Sequence, residues 1–484
     1  MKSKFIYISA LAVMAFTPGC KKYLEQLPDQ RTEVNSPAKV AELLGSAYPR
    51  ASYIPFLEGM SDNVQDKGTD RNDRANRQSW FWEDLTDREQ DTPDFYWQNA
   101  YAAIAAANQA LAVIDAASDK SAYSASKGEA LLARAYAHFM LVTIYSKAYD
   151  AGTAGTDPGI PYVTTPENVV IKKYERKTVA YVYEQIEKDL TEGLPLINDN
   201  SYTGAPSYHF TTTAAHAFAT RFYLFKKDYA KVVAHANSTF VGVSALPYLR
   251  PVNTVYSKMS PGVAQKEYTK ATTKANLLLA ESRSVWARNL ETNRYGCDPK
   301  LADALRDINV SGASFDYKFY YRAPENQFTP KFEELFIRVD QNANIGTPWN
   351  MIPLLTAEEV LFNRAEANTE LGNYDDAITD LNDFISQRAT SYNPLLHSLS
   401  QNKVRAYYKT PDTRAALISS ILTFKRSEFV FEGLRWFDIL RHKLPVTHIS
   451  FDGKTRRTLG PSDPRRMLQL PQEAQLSGLE LNPR

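Results

Sequence analysis

Hydrophobic positions along this chain recur with a helical period. Trp97, Tyr101, Ile104, Asn108, Leu111 and Ile114 step by three or four residues and mark one face of a helix. After a polar break around 118–128 the spacing returns in Leu131, Ala135, His138, Val142 and Tyr145. Leu132, Tyr136 and Phe139 widen that stripe, which predicts a helix buried on most sides. Val179, Val182, Ile186, Leu190 and Leu194 predict a third helix with Thr178 as its N-cap. Ala215, Phe218, Phe222 and Phe225 predict a fourth, and Tyr229, Val233, Ala236 and Phe240 a fifth. Only Lys226-Lys227-Asp228 separates those two, so they must form a tight antiparallel hairpin.

A further pair is written in Ala365, Leu371-Gly372, Tyr374, Ala377, Leu381 and Ile385, which resembles the tetratricopeptide pattern. Gly372 permits the left-handed turn that ends a helix, and the two alanines let helix backbones approach closely. The pairs do not recur at the ~34-residue period of that repeat. The expected fold is therefore mainly α, built of irregular tetratricopeptide-like helix pairs over 97–242 and 353–442. A last helix is expected from about Thr413 to Phe431, broken near Gly433. Residues 50–96 and 243–352 break the pattern with polar and aromatic clusters such as Phe319-Tyr320-Tyr321-Arg322 and Gly346-Thr347-Pro348-Trp349. Long loops in a helical scaffold usually have a function, so these two loop-rich insertions are expected to form a ligand face.

Charge and hydropathy narrow the class. Lys and Arg total 56 against 55 Asp and Glu, without the basic excess of a nucleic-acid binder. Mean hydropathy is -0.41 and no apolar run reaches about 18 residues, which excludes a polytopic membrane protein. Lys2 and Lys4 precede an apolar run from Phe5 to Phe16, then Thr17-Pro18-Gly19-Cys20. This reads as a signal peptide over 1–19 followed by an acylated Cys20, a lipidated tether over 20–30 and one domain over 31–484. The alternative is an ordinary signal peptide with an incidental cysteine. Cys297 is the other cysteine, and a single thiol is more often buried than reactive.

Catalytic patterns are absent from the sequence. There is no GxSxG, GxxxxGK[ST] or GxGxxG, and the seven histidines form neither HExxH nor HxH. His209 and His216 lack a carboxylate partner in sequence, and His138 on its apolar stripe reads as a hydrogen-bonded core residue. Asp66, Asp70 and Asp73 do not have the spacing of a calcium loop, and Arg71 among them would repel the ion, so a solvated loop is expected. Glu428 and Glu432 would project side by side from one helix, whereas a glycosidase needs two carboxylates flanking a bond. Glu432, Arg435, Asp438 and Arg441 step by three with alternating sign, which predicts a salt-bridge ladder. No catalytic residue, metal ligand or cofactor is assigned.

Aromatic residues make up 12% of the chain, and pyranose faces pack flat on such rings. Trp80 and Trp82 would share one face if their loop is extended. Tyr320 and Tyr321 stand beside the fork-shaped donor Arg322, and Trp349 follows a Gly-Thr-Pro turn. These six are the candidate ligand-binding residues, though each ring equally suits a loop anchor. Trp97, Tyr101 and Tyr183 lie on helical stripes and are assigned to the core.

Several segments resemble the SusD/RagB family of surface lipoproteins. They begin at Cys20-Lys21-Lys22-Tyr23-Leu24-Glu25 and continue through Trp97-x3-Tyr101-x2-Ile104-x3-Asn108, Gly128-Glu129-Ala130 with Arg134-Ala135 and Phe139, and Gly159-Ile160-Pro161. Arg176-x-Thr178-Val179 with Asp189-Leu190 follows, then Ala365-Glu366-Ala367, Leu371-Gly372, Asn382 and Arg388. The fullest motif is Arg426-x-Glu428-x3-Glu432-Gly433-x-Arg435-x2-Asp438-x2-Arg441, and Leu470-Pro471 with Asn482-Pro483 closes the chain. The resemblance implies a non-catalytic protein held on the outer face of the outer membrane by its acylated cysteine. It implies a SusC-like TonB-dependent transporter as partner, and a glycan or, in some relatives, a peptide as ligand, with no nucleic acid. A lipid-anchored helix-pair scaffold and a glycosidase are the alternatives.

Overall fold

The computed structural model describes residues 34–71, 73–167, 172–241 and 244–484. The signal segment 1–19, Cys20 and the tether 20–30 lie outside the described residues. Helix α1 (Pro93–Ala116) starts at Thr92, whose side chain accepts from the Phe95 amide. It packs on α2 (Ser124–Tyr145), in which every residue from Gly128 to Tyr145 is buried, as the widened stripe predicts. Helix α3 (Val179–Gly193) is capped by Thr178 and crosses α2 closely. A Cβ on Gly128 would stand 2.9 Å from the Gly193 carbonyl, so two glycines set that approach. Arg134 ties the three helices together, with two bonds to Asp189 at 2.7 and 2.8 Å and one to Asn108 at 2.9 Å.

Helices α4 (Thr212–Lys226) and α5 (Tyr229–Thr239) form the expected hairpin, with Lys227 left-handed at φ 63° and Asp228 capping the second helix. The pair α6 (Ala357–Leu371) and α7 (Tyr374–Ser386) turns at Gly372, φ 83°, with Ala365 and Ala377 fully buried. Arg221 on α4 reaches Glu359 on α6, and Arg364 on α6 reaches Asp380 on α7, so each interface carries a buried ion pair. One continuous apolar core runs through these pairs. The molecule is mainly α-helical with packed, tetratricopeptide-like helix pairs.

Three expectations need correction. The first concerns the loop-rich insertions, which carry short regular elements. Within 50–96 stand helices Ile54–Met60 and Arg74–Phe81. Within 243–352 stand β1 (Asn276–Arg283), β2 (Glu334–Arg338) and most of β3 (Gly346–Thr356), an antiparallel sheet with β3 in the centre. The two insertions also meet, since Gln65 and Asp66 pair with Gly296 and Tyr295.

The second correction is the ladder. The last long helix, α8 (Thr413–Glu428), stops short of Glu432; Phe431 and Gly433 take φ of 71° and 72°, and α9 (Leu434–Arg441) starts anew. The charges therefore radiate instead of facing one another. Glu428 takes Arg388, Glu432 takes Lys331 at 2.6 Å, Arg435 takes Asp62 at 2.8 Å and Arg441 takes Glu366 at 2.6 Å. Only Asp438–Arg441, at 3.1 Å, keeps the i,i+3 step.

The third concerns the histidines. His209 does have a carboxylate, Glu129 at 2.8 Å, while His216 faces His235. His138 is a core residue as expected, held between the Arg134 carbonyl and the Val163 amide. Burial lowers its pKa to about 3 and keeps the ring neutral.

Candidate ligand-binding site

The six residues singled out by sequence do not form one platform. Trp80 is the last-turn residue of helix Arg74–Phe81 and is 1% exposed; Trp82 caps that helix in the left-handed region, φ 53°, and is 4% exposed. A helix end, not an extended loop, explains why both rings point inward. They clasp His448 from two sides, with ring centroids 5.0 and 4.4 Å away, and Trp82 Nε1 donates to the Met60 carbonyl at 3.0 Å. Trp80 packs in a small cluster with Val64 and Tyr295, and Trp82, though buried, lines a cavity of about 260 Å³ with Met60 and Leu468.

The other four stand on two separate segments. Tyr320 and Tyr321 form a two-residue ladder with Phe328 and Gln327. Tyr320 donates to the Met259 carbonyl, Tyr321 is 65% exposed, and Arg322 pairs with Glu291 at 2.9 Å. Trp349 lies on β3 opposite Leu335, half-buried, with the Arg50 guanidinium over its ring at 4.4 Å. Tyr321, Arg322 and Trp349 remain accessible, but nothing brings them together around a common cavity.

A different set converges. Between helices Ile54–Met60 and Arg74–Phe81, the 87–92 turn and the Trp286–Asn289 helix lies a cavity of about 210 Å³. It joins the two insertions. A larger cavity of about 330 Å³ beside Trp97 and Tyr101 is lined by no described residue of 243–352. The volume is below the roughly 300–1,000 Å³ of pockets for drug-sized ligands, so it suits a single unit of a longer chain.

Local chemistry fixes each wall. Asp73 caps helix Arg74–Phe81 through the Asn76 amide at 2.8 Å. Asn76 in turn exchanges two bonds with the Tyr295 backbone, at 2.9 and 3.0 Å, and so locks the second insertion onto the first. Trp286 supplies an apolar wall; its Nε1 donates to the Phe431 carbonyl at 2.9 Å, connecting the cavity to the bend between α8 and α9. Asn289 accepts from Arg71 at 2.8 Å. Asp91 takes φ 69°, and its Oδ2 accepts from the Val285 amide at 2.8 Å. Burial raises the Asp91 pKa to about 7 against the lowering bonds from Ser284 and Val285, with Asp73 and Glu334 adding repulsion.

Two buried oxygens here, Asp91 Oδ1 and Asn293 Oδ1, have no donor among the described residues. A buried acceptor without a partner costs about 1–3 kcal/mol. The arrangement is suited to binding a hydroxyl-rich molecule. Sequence reasoning missed Asp91, Trp286, Asn289 and Asn293. Trp286 was the available signal, a tryptophan inside an insertion already marked as ligand-facing. Among the described residues, no group of three or more His, Cys, Asp or Glu could hold a metal ion. Cys297 is buried, which pushes its thiol pKa well up.

Residues 22–224 match the family described as "Starch-binding associating with outer membrane", and residues 339–465 match the family described as "SusD family". No curated protein matches the chain. Among solved structures, the fold is similar to a SusD superfamily protein from Bacteroides fragilis, with TM-score 0.69 and 18% identity over 92% of this chain and 99% of that one. It is also similar to a putative sugar binding protein from Bacteroides vulgatus, with TM-score 0.68 and 20% identity over 93% and 99%. A SusD superfamily protein from Bacteroides thetaiotaomicron gives TM-score 0.67 and 19% identity over 93% and 100%.

Proposed function

Because this chain belongs to the SusD/RagB superfamily, a family of binding proteins and not of catalysts, we propose that it captures glycan at the cell surface and passes it to a SusC-like TonB-dependent transporter. The observation that carries the site assignment is the cavity at the junction of the two insertions, with Asp91 Oδ1 and Asn293 Oδ1 lacking protein donors. Sugar hydroxyls supply such donors from several directions, and Trp286 offers an apolar wall for C–H groups. The lipid anchor on Cys20 and an outward-facing position on the outer membrane belong to the same reading. No helix among the described residues is long and apolar enough to cross a membrane, so an anchor would hold the body there.

The test is titration calorimetry of the wild type and Asn293→Ala against plant, host and microbial oligosaccharides, with a peptide panel alongside. The expected result is glycan binding that Asn293→Ala weakens at least tenfold. Binding of peptides alone would transfer the role to oligopeptide capture. The transporter is tested separately, by whether affinity-tagged protein extracted in mild detergent brings down a TonB-dependent barrel.

A further inference from the structure

We propose that this cavity is charge-selective: it accepts neutral or amine-bearing sugar units and turns away uronates and sulfated sugars. The proposal rests on reading the cavity as a glycan site. Four carboxyl groups line it, Asp73, Asp87, Glu89 and Asp91, and among the described residues no Lys, Arg or His does. Two arginines beside the lining residues have partners. Arg74 holds Asp87 at 3.1 Å, and Arg71 is bonded to Asn289 at 2.8 Å and to Thr292. Asp73 is occupied as a helix cap. Glu89 and Asp91 have no ion pair among the described residues, and Asp91 is held by the Val285 amide and the Ser284 side chain instead.

Hydrogen-bond polarity points the same way as charge. Of the two partnerless atoms, the Oδ1 of Asn293, a residue 6% exposed, is an acceptor, and Asp91 Oδ1 is one whenever that carboxyl is ionised. A hydroxyl or an ammonium group donates to them; a carboxylate or sulfate oxygen only accepts and leaves them as they are. In a partly desolvated site, screening of like charges is also weaker than at the surface. Both effects disfavour an anionic unit, and both favour one that brings N–H or O–H groups.

The experiment uses an array of oligosaccharides on gluco, manno and galacto backbones, each in neutral, 2-amino and 6-carboxylate form. It is probed with the wild type and with the Glu89→Gln, Asp91→Asn double variant, whose fold is checked by melting. Asn tolerates the left-handed φ at position 91 as Asp does. On any backbone that binds, the neutral or amino form should be held at least tenfold more tightly than its carboxylate form, and the double variant should narrow that gap at least threefold. A carboxylate form bound equally or better, or a gap indifferent to the substitutions, overturns the proposal. Should the variant not fold, the wild-type gap must narrow when salt rises from low ionic strength to about 0.5 M, and a salt-independent gap overturns it too. Failure of every form on every backbone to bind would instead sink the reading of the cavity as a glycan site.

Discussion

At the scale of single residues, Trp80 and Trp82 show how a ring's role follows from its backbone. Their alternation suggests one shared face only if residues 80–82 are extended; the left-handed φ of Trp82 ends a helix there and turns both rings onto His448. Trp80→Ala or Trp82→Ala should therefore lose about 3–5 kcal/mol of stability in urea unfolding and leave the affinity of the folded fraction for its glycan unchanged. A weakly binding, normally melting variant would return these rings to the ligand face. Asp91 gives a sharper signature because its pKa is raised from 3.8 to about 7. A carboxyl with a folded pKa above its unfolded one stabilises the protein below about pH 4 and loses that contribution as pH rises through 7. Asp91→Asn should consequently melt like the wild type at pH 4 and above it at pH 8, by an amount worth a few kcal/mol. Equal melting temperatures at both pH values would show that the carboxyl is not held at a cost.

Helices and strands were unequally legible, for a physical reason. Amphipathic stripes such as Val179–Leu194 repeat every three or four residues, and the structure returns α3 with its Thr178 cap. Strand β1 has the buried run Leu277-Leu278-Leu279-Ala280, and an apolar run hidden on both sides has no period to distinguish strand from helix. The α8–α9 bend was visible at Gly433 but its consequence was not. Breaking the helix sends Glu428, Glu432, Arg435 and Arg441 to partners remote in sequence, which no local spacing encodes. The bend itself is clasped by Glu58, whose two oxygens accept from the Phe431 and Gly433 amides at 2.7 and 2.9 Å. Glu432 meets both Lys331 and the Tyr268 hydroxyl at 2.6 Å in the interior. Glu432→Gln leaves Lys331 buried beside a neutral group, so it should cost about 3–5 kcal/mol in urea unfolding with glycan affinity of the folded fraction unchanged. A loss below about 1 kcal/mol would mean the pair behaves as if it were exposed.

For the molecule as a whole, the scaffold and the site obey different rules. Buried ion pairs such as Arg134–Asp189 and Arg388–Glu428 sit on the motifs that carried the family resemblance, and each joins elements far apart in sequence. The cavity uses short polar residues from insertions, where side-chain type alone does not reveal which groups end up partnerless. The tether belongs to neither. The first described helix, Pro37–Leu44, is capped by Ser36 and buries Val40 and Leu44 against α1 and α2. From Cys20 to Val34 the chain can span at most about 50 Å, enough to keep that body beside a membrane without burying any of it. If Cys20 is the anchor, Cys20→Ala should move the protein from the membrane fraction to the soluble one while its melting temperature and glycan affinity stay as in the wild type. Intact mass of the wild type should then correspond to an acylated chain beginning at residue 20. An unmodified chain cleaved elsewhere, or a variant still held in the membrane fraction, would show that the cysteine is incidental.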